Sequence, residues 1–382
     1  MATTTAPTRR ERDRLRRAPP VVPSATVRTR SAVILFALVA ACGGDDESVP
    51  VDAPVAIDTA PLPIDASVDA APFVEPTRLS QTGLYSDIGT KTIAADVHEF
   101  LPRWQLWSDE ALKRRWIWLP PGATIDTSNM DNWKFPVGTK VWKEFARGTR
   151  IETRYLEKIG PGDEWITDWY AVSFQWDAGE TDATAVPAGV VDDPGHNDIP
   201  GRSDCRKCHV NTRVASVVIG FSALQLDTPT AAGLWNLTQL EAENRLSAPP
   251  TASGGAGTPF FPLPAGDAAR DAIGYLHANC GNCHNAGSDV ALITPVKLRL
   301  AVGDLAAWNT TDPWETTVDV TATFGVPGAT VVVEPGVPAQ SALYYRLTTT
   351  SGQRMPPVGR EVVDPTGTET VRAWIAALPP TP

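Results

Sequence analysis

Two pentads of the form Cys-x-x-Cys-His constrain this chain more than any other feature: Cys205–His209 in "SDCRKCHVN" and Cys280–His284 in "NCGNCHN". Two thiols three positions apart can reach both vinyl groups of one haem, and the histidine that follows lies under the iron as proximal ligand. With five His in 382 residues, chance places a His after one such pair about once in 80 trials, and after both about once in 6000. The pairs could instead be halves of a four-cysteine zinc site. Zinc ribbons leave about 15–20 residues between their pairs, whereas this gap runs from Cys208 to Cys280. The motifs therefore read as attachment sites for two haem c groups.

The fifth cysteine, Cys42, closes the apolar run "SAVILFALVAAC". That run is too short to cross a bilayer as a helix. The segment Val39–Gly43, "VAACG", resembles a bacterial lipobox, in which the cysteine is lipidated and becomes the first mature residue. Residues 1–41 are thus expected to be a lipoprotein signal, with Val27 its true start and Arg28 and Arg30 its positive end. The product is expected in the periplasm or at the cell surface, held to a membrane by lipidated Cys42. No cysteine is left over for a structural disulfide, although an exported compartment would permit one.

The formal charge is −11, and the first 41 residues contribute +6 through eight Arg against Glu11 and Asp13, which leaves −17 on the rest. A surface that acidic argues against nucleic acid and favours partners with cationic patches.

Residues 42–78 are rich in Asp, Pro and Ala and hold too few large apolar side chains to fold, so they read as a disordered tether. Residues 79–200 carry nine of the thirteen tryptophans. Their short alternating runs "RRWIWLP", "TKVWKEFA", "RIETRYLEKI" and "WITDWYAVSFQW" are separated by Gly/Pro turns, the pattern of an antiparallel β domain. A row of aromatics invites a sugar-binding reading, but the tryptophans are better read as core and cross-strand pairs. Residues 201–262 hold the first motif, a helix near "GFSALQL" and a "SAPPTASGGAGTP" linker. Residues 263–382 are helical at both ends. "AGDAARDAIGYLHAN" leads into the second motif. "TGTETVRAWIAAL" opens with the capping pattern Thr366-x-x-Glu369 and sets Val371, Trp374, Ile375 and Leu378 on one helical face. The expected fold class is α+β multidomain: an N-terminal antiparallel β-rich domain, then an all-α cytochrome c-like domain.

The axial positions opposite His209 and His284 decide the chemistry. For the second haem, Met355 in "GQRMPPVGR" is the distal candidate, since it is the only Met after that motif and two prolines hold its loop extended. His/Met ligation raises the reduction potential. The first motif has no local candidate. In order of preference, His196, Met130, His98 and His277 are the residues that could close its iron. An open position would favour peroxide chemistry instead.

"LWSDEALKRRWIWLPPG", "WKFPVGTKVWKEF", "IETRYL", "DCRKCH", "GFSALQL", "YLHANCGNCHN" and "RMPPVGREVV" together resemble a largely uncharacterised group of di-haem c-type cytochromes of Gram-negative bacteria. Its members occur beside, or fused to, quinoprotein glucose/sorbosone-type dehydrogenases. The resemblance covers residues 80 to 378. It implies electron transfer with a redox protein partner such as a periplasmic quinoprotein dehydrogenase. It carries over Cys205, Cys208, Cys280, Cys283, His209, His284 and Met355, and it leaves the first distal ligand open.

The leading expectation is a periplasmic, lipid-anchored di-haem electron carrier. If the first haem is His/His ligated, electrons enter at His209 and leave from His284. The alternative is a di-haem peroxidase, for which Glu144, Asp192 and Asp193 are the acid–base candidates. A third reading is a binding module built on the Trp-rich region.

Overall fold

The computed structural model describes residues 73–191, 198–210, 216–251 and 258–380. The signal, Cys42, most of the tether and His196 lie outside the described residues. So do Asp192 and Asp193.

Eleven strands are described: β1 (Tyr85–Asp87), β2 (Thr92–Ile93), β3 (His98–Phe100), β4 (Leu112–Trp118), β5 (Lys140–Arg147), β6 (Thr149–Lys158), β7 (Trp169–Trp176), β8 (Ala183–Ala185), β9 (Leu234–Trp235), β10 (Thr321–Val326) and β11 (Ala329–Val331). Seven of them form one sheet in the order β8-β7-β6-β5-β4-β3-β9. Neighbours run antiparallel except β3 and β9, which are parallel.

Alternation gives this sheet two different faces. One carries the cross-strand row Trp116, Trp142, Tyr155 and Val172. Trp142 and Tyr155 lie 5.6 Å apart between ring centres. With Leu79, Leu84, Phe174 and Trp176 these side chains form a closed aromatic core. Each fully buried aromatic there contributes about 1.5–3 kcal/mol relative to exposure. The other face carries the row Ile117, Val141, Leu156 and Ala171. It packs under Val217, Phe221, Leu226, Leu237 and Leu240 from the segment that follows the first motif. The tryptophans are therefore mainly core residues: Trp116, Trp133, Trp142 and Trp169 are at most 2% exposed.

A second core joins the helices Asp267–Asn279, Ala342–Thr348 and Pro365–Ala377 through Ile273, Leu276, Leu343, Leu347, Val371, Trp374 and Ile375. The helical face expected at Val371, Trp374, Ile375 and Leu378 is the buried one. The cap differs from the expected one. Asp364, not Thr366, precedes the helix, and its side chain accepts from the Gly367 amide at 2.8 Å. Pro365 at the first helical position makes this the better start, since its missing N–H needs no partner there.

The expected division into a β-rich domain and an all-α cytochrome c-like domain does not hold. The sheet is large and mixed. Its edge strand β9 comes from residues 234–235, inside the segment assigned to the first haem and a linker. Eight helices account for only 26%, and the C-terminal part adds the β10–β11 hairpin. The described residues form one compact unit. The connection between β3 and β4 ties its parts together. Trp104 N donates to Gln225 at 3.0 Å and Trp107 N to Asn279 at 2.7 Å. The Asp109 carboxylate accepts from Glu361 N and Val362 N. Among the described residues, no helix is long and apolar enough to cross a membrane.

Candidate haem-attachment site

Cys205, Cys208 and His209 lie on one helix, Arg202–His209. Its entry is fixed by a close approach of two backbones. Val190 and Ile199 exchange both N–H···O bonds at 2.9 Å, and Arg202 N donates to Pro187 O at 3.0 Å. Gly189, at φ +78°, packs so near Gly201 that a Cβ would sit 2.5 Å from the Gly201 nitrogen. Only glycine fits there. The Ser173 hydroxyl on β7 donates to Pro200 O at 2.9 Å, which sets the helix at the end of the inner sheet face.

The second motif is the turn that ends the helix Asp267–Asn279. Cys280 N closes the helix on Leu276 O at 2.9 Å, and His284 N returns to Cys280 O at 2.8 Å. Gly281, between the two cysteines, faces three backbones. A Cβ there would lie 2.7 Å from His277 O, 2.9 Å from Arg299 Cα and 3.0 Å from Leu298 O. The Asn285 side chain donates to Gly281 O and Asn282 O, both at 3.0 Å, and locks the turn.

Both histidines are oriented in the same way. His209 Nδ1 is 2.7 Å from Val217 O, and His284 Nδ1 is 3.2 Å from Val296 O. A carbonyl can only accept, so each Nδ1 carries the proton and each Nε2 is left as a lone-pair donor, the arrangement of a metal-ligating imidazole. Trp165 stacks on the His209 ring at 5.2 Å and 27°. Burial holds His209 down to about 4, and burial also lowers His284. Both rings are neutral near pH 7, as a ligand must be.

The four cysteines occupy different surroundings. Cys205 packs at the edge of the core beneath the sheet, and Cys280 is buried in the helical core. Burial raises both thiols, Cys280 to about 12. Cys208 and Cys283, 75 positions apart in sequence, are electrostatic neighbours, and Cys283 Sγ donates to Lys207 O, the residue before Cys208, at 3.5 Å. The neighbouring Cys283, helped by Arg154, Lys143 and Lys207, lowers the Cys208 thiol, and Cys208 in turn raises Cys283. Among the described residues no group of three or more His, Cys, Asp or Glu could hold a metal ion, so the four sulfurs do not converge as a zinc site requires. Paired thiols with a neutral, correctly tautomerised histidine beside each pair do fit two covalent haems.

The distal candidates separate clearly. His277 Nδ1 accepts the Leu300 N–H at 2.9 Å, which puts its proton on Nε2 and leaves no lone pair for iron. His277 instead ties the second motif's helix to the irregular segment at Leu300. His98 stacks face to face on Trp235 at 3.7 Å, with Glu243 and Arg245 as its charged neighbours. Met130 packs against the same core as Cys205. Its loop is bound to the segment after the second motif: Arg299 donates to Asp131 O at 2.7 Å, and Val302 N to the Asp131 carboxylate at 3.1 Å. Met355 N donates to Arg346 O at 2.9 Å, and Arg346 is also the charged neighbour of His284. Met355 is half-buried.

The acid–base candidate Glu144 belongs to the opposite face of the sheet. Its carboxylate accepts from Tyr85 OH at 3.0 Å and from Arg150 at 2.8 Å. On the motif's own face the charges are mainly positive. Arg115, Lys143 and Arg154 stand side by side on β4, β5 and β6, with the fully buried Glu152 paired to Arg154 at 2.6 Å. These residues carry no sequence motif. In the sequence they are only Arg115 in "RRWIW", Lys143 in "VWKEF" and Arg154 in "ETRYL", and the strand register is what aligns them.

No family model, curated protein or solved structure matches this chain.

Proposed function

We propose that the chain is a di-haem c-type electron carrier. Lipidation of Cys42 would hold it to a membrane on the periplasmic side or at the cell surface, and it would exchange electrons with a redox protein partner such as a quinoprotein dehydrogenase. Covalently bound haems supply one-electron chemistry at iron and stay attached in both redox states. The observation that carries this reading is the contact between Cys208 and Cys283. It makes the two attachment points neighbours, so the groups they would hold adjoin within one rigid unit. A protein that moves electrons internally needs that adjacency.

The chain's own residues have definable roles. Cys205, Cys208, Cys280 and Cys283 attach. Val217 O and Val296 O hold the proximal rings with Nε2 presented. Trp165 covers His209, and the Arg346–Met355 pairing holds the second distal candidate. Of the acid–base candidates for a peroxidase, Glu144 lies on the sheet face away from the first motif, and Asp192 and Asp193 lie outside the described residues.

The test is a pyridine haemochrome count with a redox titration of the exported holoprotein. Two haems per chain and two one-electron waves are expected. A chain that matures without haem, or binds zinc through its cysteines, would overturn the reading.

A further inference from the structure

The inner face of the sheet carries a feature that haem attachment alone does not explain. Arg115 pairs directly with Lys143, Lys143 with Arg154, and Arg154 with Ser173, a straight row across β4, β5, β6 and β7. Like charges directly opposite one another weaken a sheet, and buried charges without partners are costly. Arg115 is 4% exposed. Among the described residues its guanidinium makes one long bond, to Gln105 Oε1 at 3.4 Å. Lys143 lies over the Phe145 ring at 4.8 Å and has no hydrogen bond or ion pair among the described residues. Glu152 pairs with Arg154 and is also the carboxylate that acts on Lys143. Lys113, two residues along β4 on the same face, has Arg115 as its first charged neighbour, followed by Asp364 and Asp109. Among the described residues the three cations of the row thus share one carboxylate, which leaves two positive charges uncompensated.

The row also has a direction. It ends at Ser173, whose hydroxyl binds Pro200 O just before the helix bearing Cys205, Cys208 and His209. Strands are about 4.8 Å apart, so the row runs about 14 Å from that helix out to Arg115. Lys143 and Arg154 are the charges felt by both Cys208 and His209. A haem attached by one edge carries its two propionate carboxylates on the other, and two carboxylates match two uncompensated cations. Guanidinium and ammonium groups bind carboxylates through short, charge-assisted hydrogen bonds.

We propose that Arg115 and Lys143, with Arg154, form the carboxylate-binding row that holds the propionates of the haem attached through Cys205 and Cys208. This rests on the haem reading of that motif. The row acts as a positioning element and as an electrostatic one. A cation held near the porphyrin disfavours the extra positive charge of ferric iron, so the row raises the potential of the first haem.

The experiment compares full-length holoprotein variants by haemochrome count and spectroelectrochemical titration. The first-haem wave is identified as the one that survives in Cys280→Ala/Cys283→Ala. Lys143→Met is expected to keep both haems and to lower the reduction constant of the first haem about tenfold, which is about 59 mV for a one-electron couple. Lys143→Arg is expected to stay close to wild type. Lys140→Met removes the same charge from the same strand on the opposite face, and it is expected to leave both waves unmoved. If Lys143→Met does not accumulate, Lys143→Gln and Arg115→Met put the same question to the same haem. Two bound haems with an unmoved first wave in these variants would overturn the row. Absence of haem from the wild type would instead overturn the reading beneath it, so the two failures are distinguishable.

Discussion

The carbonyl oxygen of Val217 lies 2.7 Å from His209 Nδ1, and that contact decides which nitrogen of the ring faces outward. His284 meets Val296 O in the same way at 3.2 Å. Two independent loops thus present two imidazoles identically. In each, the bond fixes the tautomer and burial removes the charge, so Nε2 keeps the lone pair that a metal-ligating imidazole uses.

On the proposed di-haem reading, Met355→Ala tests the distal side of the second iron. The expected result is loss of the sulfur–iron charge-transfer absorption and a fall of about tenfold or more in that haem's reduction constant, or about 59 mV. Near-infrared magnetic circular dichroism of the oxidised protein reads the change, and an unaltered spectrum would remove Met355 from the iron.

Gly281→Ala places a methyl group against His277 O, Arg299 Cα and Leu298 O. All three contacts are backbone or Cα, so none can yield by rotating a side chain. A cost of about 1–3 kcal/mol is expected, as for overpacking in a tight core. Urea denaturation should show it, together with loss of the second haem before the first.

His277 is held down to about 3 by burial, against an unfolded value near 6.5. Its folded pKa is the lower one, so between about 6.5 and 3 the unfolded chain binds the extra proton. Stability from this group is therefore complete above pH 6.5 and falls as pH drops through that window, by about 1 kcal/mol per unit. His277→Asn keeps an acceptor for the Leu300 amide and does not titrate. Denaturation midpoints at pH 7 and pH 5 should differ less in the variant than in the wild type. Equal pH slopes would refute the assignment.

Glu152→Gln removes the carboxylate that, among the described residues, pairs with Arg154, and Glu152 itself is fully buried. Breaking a buried pair leaves a charge uncompensated, but the Arg154 side chain is 31% exposed and water screens part of the loss. Destabilisation of about 2 kcal/mol is expected by chemical denaturation. Proteins that retain the haem should lose less, because the propionates would share the load.

The sequence by itself determined the local features. Cys-x-x-Cys-His needs only five consecutive residues, and 3.6-residue periodicity placed the helices at Asp267–Asn279 and Pro365–Ala377. Alternation with turn residues likewise located β4, β5, β6 and β7. The fold class was misread because β9 is two residues long and has no pattern to detect. The cap moved from Thr366 to Asp364 because a Pro just inside the helix outweighed the capping pattern. What only the tertiary structure decided is which residues meet. Cys208 and Cys283 adjoin through packing across 75 positions. Arg115, Lys143 and Arg154 share a row only because β4, β5 and β6 pair in one register, and a slip of one residue would turn that row to the opposite face. Glu144 lies one position from Lys143, and the pleat alone puts it on the far side of the sheet. Attachment chemistry is written along the chain, whereas the surroundings that tune it are set by pairings between distant segments.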